Sequence, residues 1–123
     1  MDSHVFLTVF PYWLKAFLFT QGVEIPIWTL LARGAVPAWR AALAGAACTC
    51  LTHPLLWFVW PRVVHDYGAY IASGELLVAA IESAVFFVLA RPVTFSRAVA
   101  ASFLANAASY GGGLLLRSVG ALS

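Results

Sequence analysis

Charge is what this sequence has least of. Only 10% of its 123 residues are charged, against roughly a quarter in an ordinary soluble domain. Seven basic and five acidic side chains cannot solvate the surface of a globule of this size, which excludes a water-soluble fold. The basic residues stand singly and the net charge is only +2, so there is no footprint for nucleic acid. Cysteine is scarce as well. Cys48 and Cys50 are two apart on an expected helix, point in different directions and cannot easily bridge each other. Long linkers, low-complexity tracts and internal repeats are missing. So is a basic stretch leading into a short apolar core, and no cleavable signal peptide is expected. Ala46-Ala47-Cys48 resembles a lipoprotein cleavage site but falls inside an apolar stretch.

What is abundant is apolar length: 63% of the residues are hydrophobic. Four apolar stretches, about 13–32, 39–60, 69–90 and 98–116, each match the roughly 20 residues a helix needs to cross a bilayer. Gly34 and Pro37, then Pro61 to Gly68, then Arg91-Pro92 punctuate them. Residues 4–12 are apolar and aromatic, and read as an interfacial helix or an early extension of the first span. The expected fold is all-α: a four-transmembrane-helix antiparallel bundle, one integral membrane domain over 1–123, with spans one and two interrupted by Pro26 and Pro54. Arg33, Arg40, Arg91 and Arg97 fall in or beside loops one and three. Arg62 and Arg117 fall on the other side, partly offset by Asp2 and Asp66, with Lys15 near the membrane edge. That slim bias places loops one and three in the cytoplasm, in what is expected to be a bacterial inner membrane.

Within the apolar stretches lie three of the five acidic residues, Glu24, Glu75 and Glu82. A charged side chain at the centre of a membrane helix costs about 2.5–3.5 kcal/mol on insertion scales, so these positions need a polar interior, a partner or a proton. A rise of 1.5 Å per residue converts position into depth. Glu24 and Glu82 each lie eight residues from the cytoplasmic end of their span, and Asn106 lies eight beyond the start of span four. These three share one mid-membrane level. His53, Glu75, Ser109 and Tyr110 fall in a second, outer layer. Glu75 and Glu82 are seven apart and share a helical face. Thr49, Thr52 and His53 follow i, i+3, i+4, and Ser102, Asn106, Ser109 and Gly113 form a small polar stripe on span four.

Several chemistries compete for these residues. Intramembrane glutamates relay protons or exchange their charge for that of a cation. Protonated, they can instead hydrogen-bond Asn106, Ser109 or Thr52 and simply hold helices together. Pro54 frees the carbonyl of Cys50 beside His53, and Pro26 frees that of Gly22 beside Glu24. Broken helices with polar residues at mid-depth are typical of transporter sites. Glu24, His53, Glu75 and Glu82 are also a conceivable metal set, though no H-E-x-x-H spacing supports it.

The layout of Glu24 with Pro26, Thr52-His53-Pro54, Glu75 with Glu82, and Asn106 with Ser109 resembles that of small four-span bacterial integral membrane proteins of uncharacterised function. The resemblance implies four spans and carries no substrate. The expected function is a small transporter or channel component for a cation or protons. Its polar core would be Glu24, Glu82, His53, Asn106, Glu75, Thr52 and Ser109. Its partners would be the bilayer and a homo-oligomer or larger membrane complex, with no cofactor. A non-catalytic structural subunit is the alternative, and an intramembrane metal-dependent enzyme a second one.

Overall fold

A computed structural model of the chain describes residues 3–120; residues 1–2 and 121–123, with Asp2 of the charge count, lie outside them. Among the described residues the structure is helical and contains no strand. α1 spans Ser3–Leu31, α2 Ala38–Pro54, α3 Tyr67–Leu89 and α4 Phe95–Ser118. α2 runs on without a gap through a π-helical turn, Leu55–Val59, and a 3-10 turn, Trp60–Arg62.

Local chemistry sets the ends. Gly34, at φ +85°, takes the left-handed conformation that turns the chain after α1. Asp66 caps α3 by accepting from the Ala69 N–H at 2.9 Å, and Thr94 caps α4 by accepting from the Arg97 N–H at 3.3 Å. Of the two readings of residues 4–12, the structure shows the early extension, since they are the start of α1. One expectation changes, because α1 passes through Pro11 and Pro26 without a break. A proline deletes one backbone donor; that leaves a carbonyl without its usual partner but does not oblige the helix to end. Pro54 acts more strongly, since the wider π turn begins at the next residue.

Three helical stretches are long and apolar enough to cross a bilayer: Ala38–Arg62, Tyr67–Leu89 and Phe95–Ser118, of 25, 23 and 24 residues. α1 is longer, at 29 residues, but is diluted by Lys15, Gln21, Glu24 and its two prolines. The helices pack in a ring in which α1 touches α2 and α4, and α3 touches the same two. Side chains are distributed inside out relative to a soluble protein. Large apolar residues such as Leu43, Leu51, Leu76 and Leu104 are exposed, whereas Glu24, Glu82, Thr49, Thr52 and Ser102 are buried. Exposed apolar surface of this extent suits lipid, and a small-residue interior lets helices approach closely.

The two ends of the ring differ. At the end holding the 32–37 and 90–94 connections, Trp28 and Phe86 are fully buried with ring centroids 4.3 Å apart, closed in by Ala32, Ala41, Ala90 and Ala98. The Arg97 guanidinium donates to the Arg33 carbonyl at 2.6 Å and ties the first connection to the start of α4. At the opposite end, Tyr70 donates to the Leu56 carbonyl at 2.8 Å and the Trp60 indole to Ser73 at 3.1 Å, which pins the irregular end of α2 to α3.

Candidate functional site

The middle of the ring is polar. Glu24 on α1 and Glu82 on α3 are each 1% exposed, and each carboxyl is held by one group from α2 and one from α4. Glu24 accepts from Thr49 at Oε1, 3.0 Å, and from Ser109 at Oε2, 2.6 Å. Glu82 accepts from Thr52 at Oε2, 2.7 Å, and from the Asn106 amide at Oε1, 2.6 Å. The pairing is crosswise. Glu24 takes the earlier residue on α2 and the later one on α4, while Glu82 takes the later on α2 and the earlier on α4. Thr49 to Thr52 and Asn106 to Ser109 are both one helical turn apart, so both carboxyls are gripped across the same turn.

The hydroxyl partners have somewhere else to donate. Thr52 Oγ1 also lies 3.0 Å from the Cys48 carbonyl, Ser109 Oγ 3.2 Å from the Asn106 carbonyl, and Thr49 Oγ1 3.4 Å from the Gly45 carbonyl. A hydroxyl has one hydrogen and two acceptor lone pairs. It can therefore give its hydrogen to a carboxylate, or turn it to its own helix and accept from a carboxylic acid. Asn106 is anchored by its second amide hydrogen on the Ser102 carbonyl at 2.8 Å, and Ser102 in turn donates to the Ala79 carbonyl at 2.8 Å.

A cavity of about 300 Å³ starts at this floor and extends to the end of the ring where Tyr67 and Arg117 lie. Its deepest lining residues are Glu24, Thr49, Glu82 and Asn106; beyond them the Trp28 and Phe86 core fills the space. Eleven residues of α4 separate Asn106 from Arg117, a depth of about 16 Å. Half-buried Glu75 and nine-tenths buried His53 line the cavity above the floor. His53 is surrounded by the rings of Trp13, Phe17 and Trp57 at 5.6–6.1 Å, and its Nδ1 has no hydrogen-bond partner. Arg117 at the rim is the one Lys or Arg lining the cavity among the described residues.

The structure thus joins five of the seven expected polar-core residues, Glu24, Glu82, Thr52, Asn106 and Ser109, through hydrogen bonds, and sets His53 and Glu75 around the same space. Ser109, expected in the outer layer, bonds mid-level Glu24, because the glutamate side chain spans the turn that separates the two levels. Thr49 was missing from the expected core, although its i, i+3 relation to Thr52 was the signal that could have included it. Gln21, whose amide donates to the Ala46 carbonyl at 3.3 Å, gave no such signal. Cys48 is buried and Cys50 exposed, so the two thiols do point apart. No group of three or more His, Cys, Asp or Glu among the described residues is placed to hold a metal ion. No family model matches this chain, and no curated protein or solved structure is similar to it.

Proposed function

We propose that this chain is a small four-span membrane transporter or channel component for protons or another cation, with Glu24 and Glu82 as the exchange groups. The four helices would cross the membrane in alternating direction, α1 included. α1 completes the ring and would be carried across by burying Glu24 against Thr49 and Ser109 instead of exposing it to lipid. Loops one and three would face the cytoplasm, and the cavity the opposite side. Its depth of about 16 Å is close to half of a hydrocarbon core about 30 Å thick, so the carboxyls would sit near the midplane.

The observation that carries this reading is the hydroxyl partnership. Thr49, Thr52 and Ser109 can each donate to a carboxylate or accept from a carboxylic acid, with a helix carbonyl waiting for the hydrogen in the second case. Such a site holds its geometry in either protonation state. Nor do the described residues place a Lys or Arg at the floor, since Arg117, the one that lines the cavity, lies eleven residues along α4 from Asn106, near the rim. A buried carboxylate left without a partner charge is strongly unfavourable, so the charge is met by a proton or by a cation entering the cavity. The filled end beyond Trp28 and Phe86 would have to open for passage, or the path would be completed by a further copy or partner subunit.

A structural role is the second reading, favoured by the crosswise bonds themselves. Glu24 and Glu82 connect α1 and α3 to both α2 and α4, the cross-links that a lipid-exposed bundle of small residues needs. Flux in proteoliposomes separates the two. Protons, Na⁺, K⁺ and an alkylammonium are tested with the wild type, Glu24→Gln and Glu82→Gln. Flux by the wild type that falls at least tenfold in the variants supports transport. A wild type that conducts none of these ions contradicts it.

A further inference from the structure

The walls of the cavity bear on the kind of cation that reaches its floor. We propose that the cavity binds an organic ammonium cation, its nitrogen against Glu24 and Glu82 and its apolar body against the aromatic wall above them. This rests on the cation reading of the same site and names the class of cation.

Size is the first argument. About 300 Å³ lies within the range of cavities that hold small organic molecules and is roughly ten times the share of one water molecule. A proton relay needs no such space. A bare metal ion needs several oxygens converging on one point at about 2.0–2.6 Å. Here every carboxyl oxygen of Glu24 and Glu82 already accepts a hydrogen bond from α2 or α4, and no three of His, Cys, Asp or Glu come together among the described residues.

Wall chemistry is the second. Phe19, Trp57, Tyr70 and Tyr110 line the space above the carboxyls. Aromatic faces beside a carboxylate attract an alkylated or aryl-substituted ammonium through the ring quadrupole while burying its apolar part. An anion would meet three glutamates on its way down and find its one basic partner, Arg117, only at the rim.

His53 is the third and independent observation. It lines the cavity, is only 9% exposed, and its Nδ1 has no partner in the protein. Buried side-chain nitrogens are nearly always hydrogen-bonded. A ligand N–H or hydroxyl entering the cavity beside His53 would offer this imidazole a partner that the protein does not supply.

Isothermal titration of the full-length protein in detergent tests the proposal with phenethylammonium, tetraethylammonium and the neutral 2-phenylethanol as probes. At least one ammonium is expected to saturate a single site at least tenfold more tightly than the alcohol. Glu24→Gln and Glu82→Gln should each weaken the ammonium at least tenfold and leave the alcohol unchanged. Trp57→Leu should weaken it severalfold, and Cys50→Ser, at an exposed position off the cavity, should have no effect. Helical circular dichroism confirms that each variant is folded. Equal affinity for amine and alcohol, no saturable site for either ammonium, or unaltered binding in both folded glutamine variants overturns the proposal. Glutamate-dependent flux of protons, Na⁺ or K⁺ by a protein that binds neither ammonium overturns this inference and leaves the transport reading standing. Ammonium binding without flux of any ion does the reverse.

Discussion

The two glutamates are tied to the bundle by four short hydrogen bonds from neutral donors, and that arrangement makes specific demands on single residues. Interhelical hydrogen bonds in membranes are worth about 0.6 kcal/mol on average and at most about 1.7 kcal/mol. Thr52→Val keeps the shape, removes the bond to Glu82, and is expected to cost about 1 kcal/mol in unfolding from mixed micelles. It also removes the hydroxyl that serves both protonation states, so flux should fall severalfold, more than so small a loss of stability explains. Serine in place of Thr52 should restore flux. The level shared by Glu24, Glu82 and Asn106 was legible in the sequence, because three punctuated loops fix where each helix starts and the rise per residue does the rest. The crosswise pairing was not. Counting along helix axes places Cα atoms, whereas Ser109 reaches Glu24 through a side chain that covers most of a turn. Orphaned Nδ1 of His53 was equally beyond reach, since it depends on which edge of a ring three aromatic neighbours leave open.

Among the elements, close approach decides what each helix tolerates. A Cβ at Gly45 on α2 would lie 2.6 Å from Cγ and Cδ1 of fully buried Trp28, whereas one at Gly113 on α4 would meet nothing within 4 Å. Gly45→Ala is therefore expected to destabilise by about 1–3 kcal/mol, as overpacking does, and Gly113→Ala to stay within about 0.5 kcal/mol of the wild type. Thermal unfolding in one detergent compares them directly. The irregular end of α2 makes a second demand. Tyr70 secures the Leu56 carbonyl in the π turn after Pro54, so Tyr70→Phe should speed hydrogen exchange across residues 55–62 and leave α4 unchanged. Helix existence and approximate limits were readable from apolar length and punctuation. The proline rule overreached at Pro26, where one missing donor did not end α1, and held more nearly at Pro54. The difference lies in the turn after each proline, because α1 continues as regular helix and α2 widens at once.

For the molecule as a whole, the ring is filled at one end by Trp28 and Phe86 and hollow at the other down to its carboxyls. Apolar excess in the sequence announced a membrane protein, and the inside-out burial agrees with it. The hollow itself was not legible, since it depends on how four helices splay around a closed polar layer. Four spans require Arg33 and Asp66 to lie on opposite sides. Single variants Arg33→Cys and Asp66→Cys, in right-side-out vesicles with an impermeant maleimide, are expected to label only at position 66. Labelling at both positions would contradict the assignment of α2 as a span. The central claim is that Glu24 and Glu82 exchange charge with the cavity and do more than bind helices together. Its most direct measurement pairs flux with unfolding stability on the same reconstituted Glu24→Gln, Glu82→Gln double variant. Near-isosteric glutamine keeps most of the hydrogen bonds, so stability should remain within about 1–2 kcal/mol of the wild type while cation or proton flux falls at least tenfold. Unchanged flux in the double variant, or no flux by the wild type, would contradict the account.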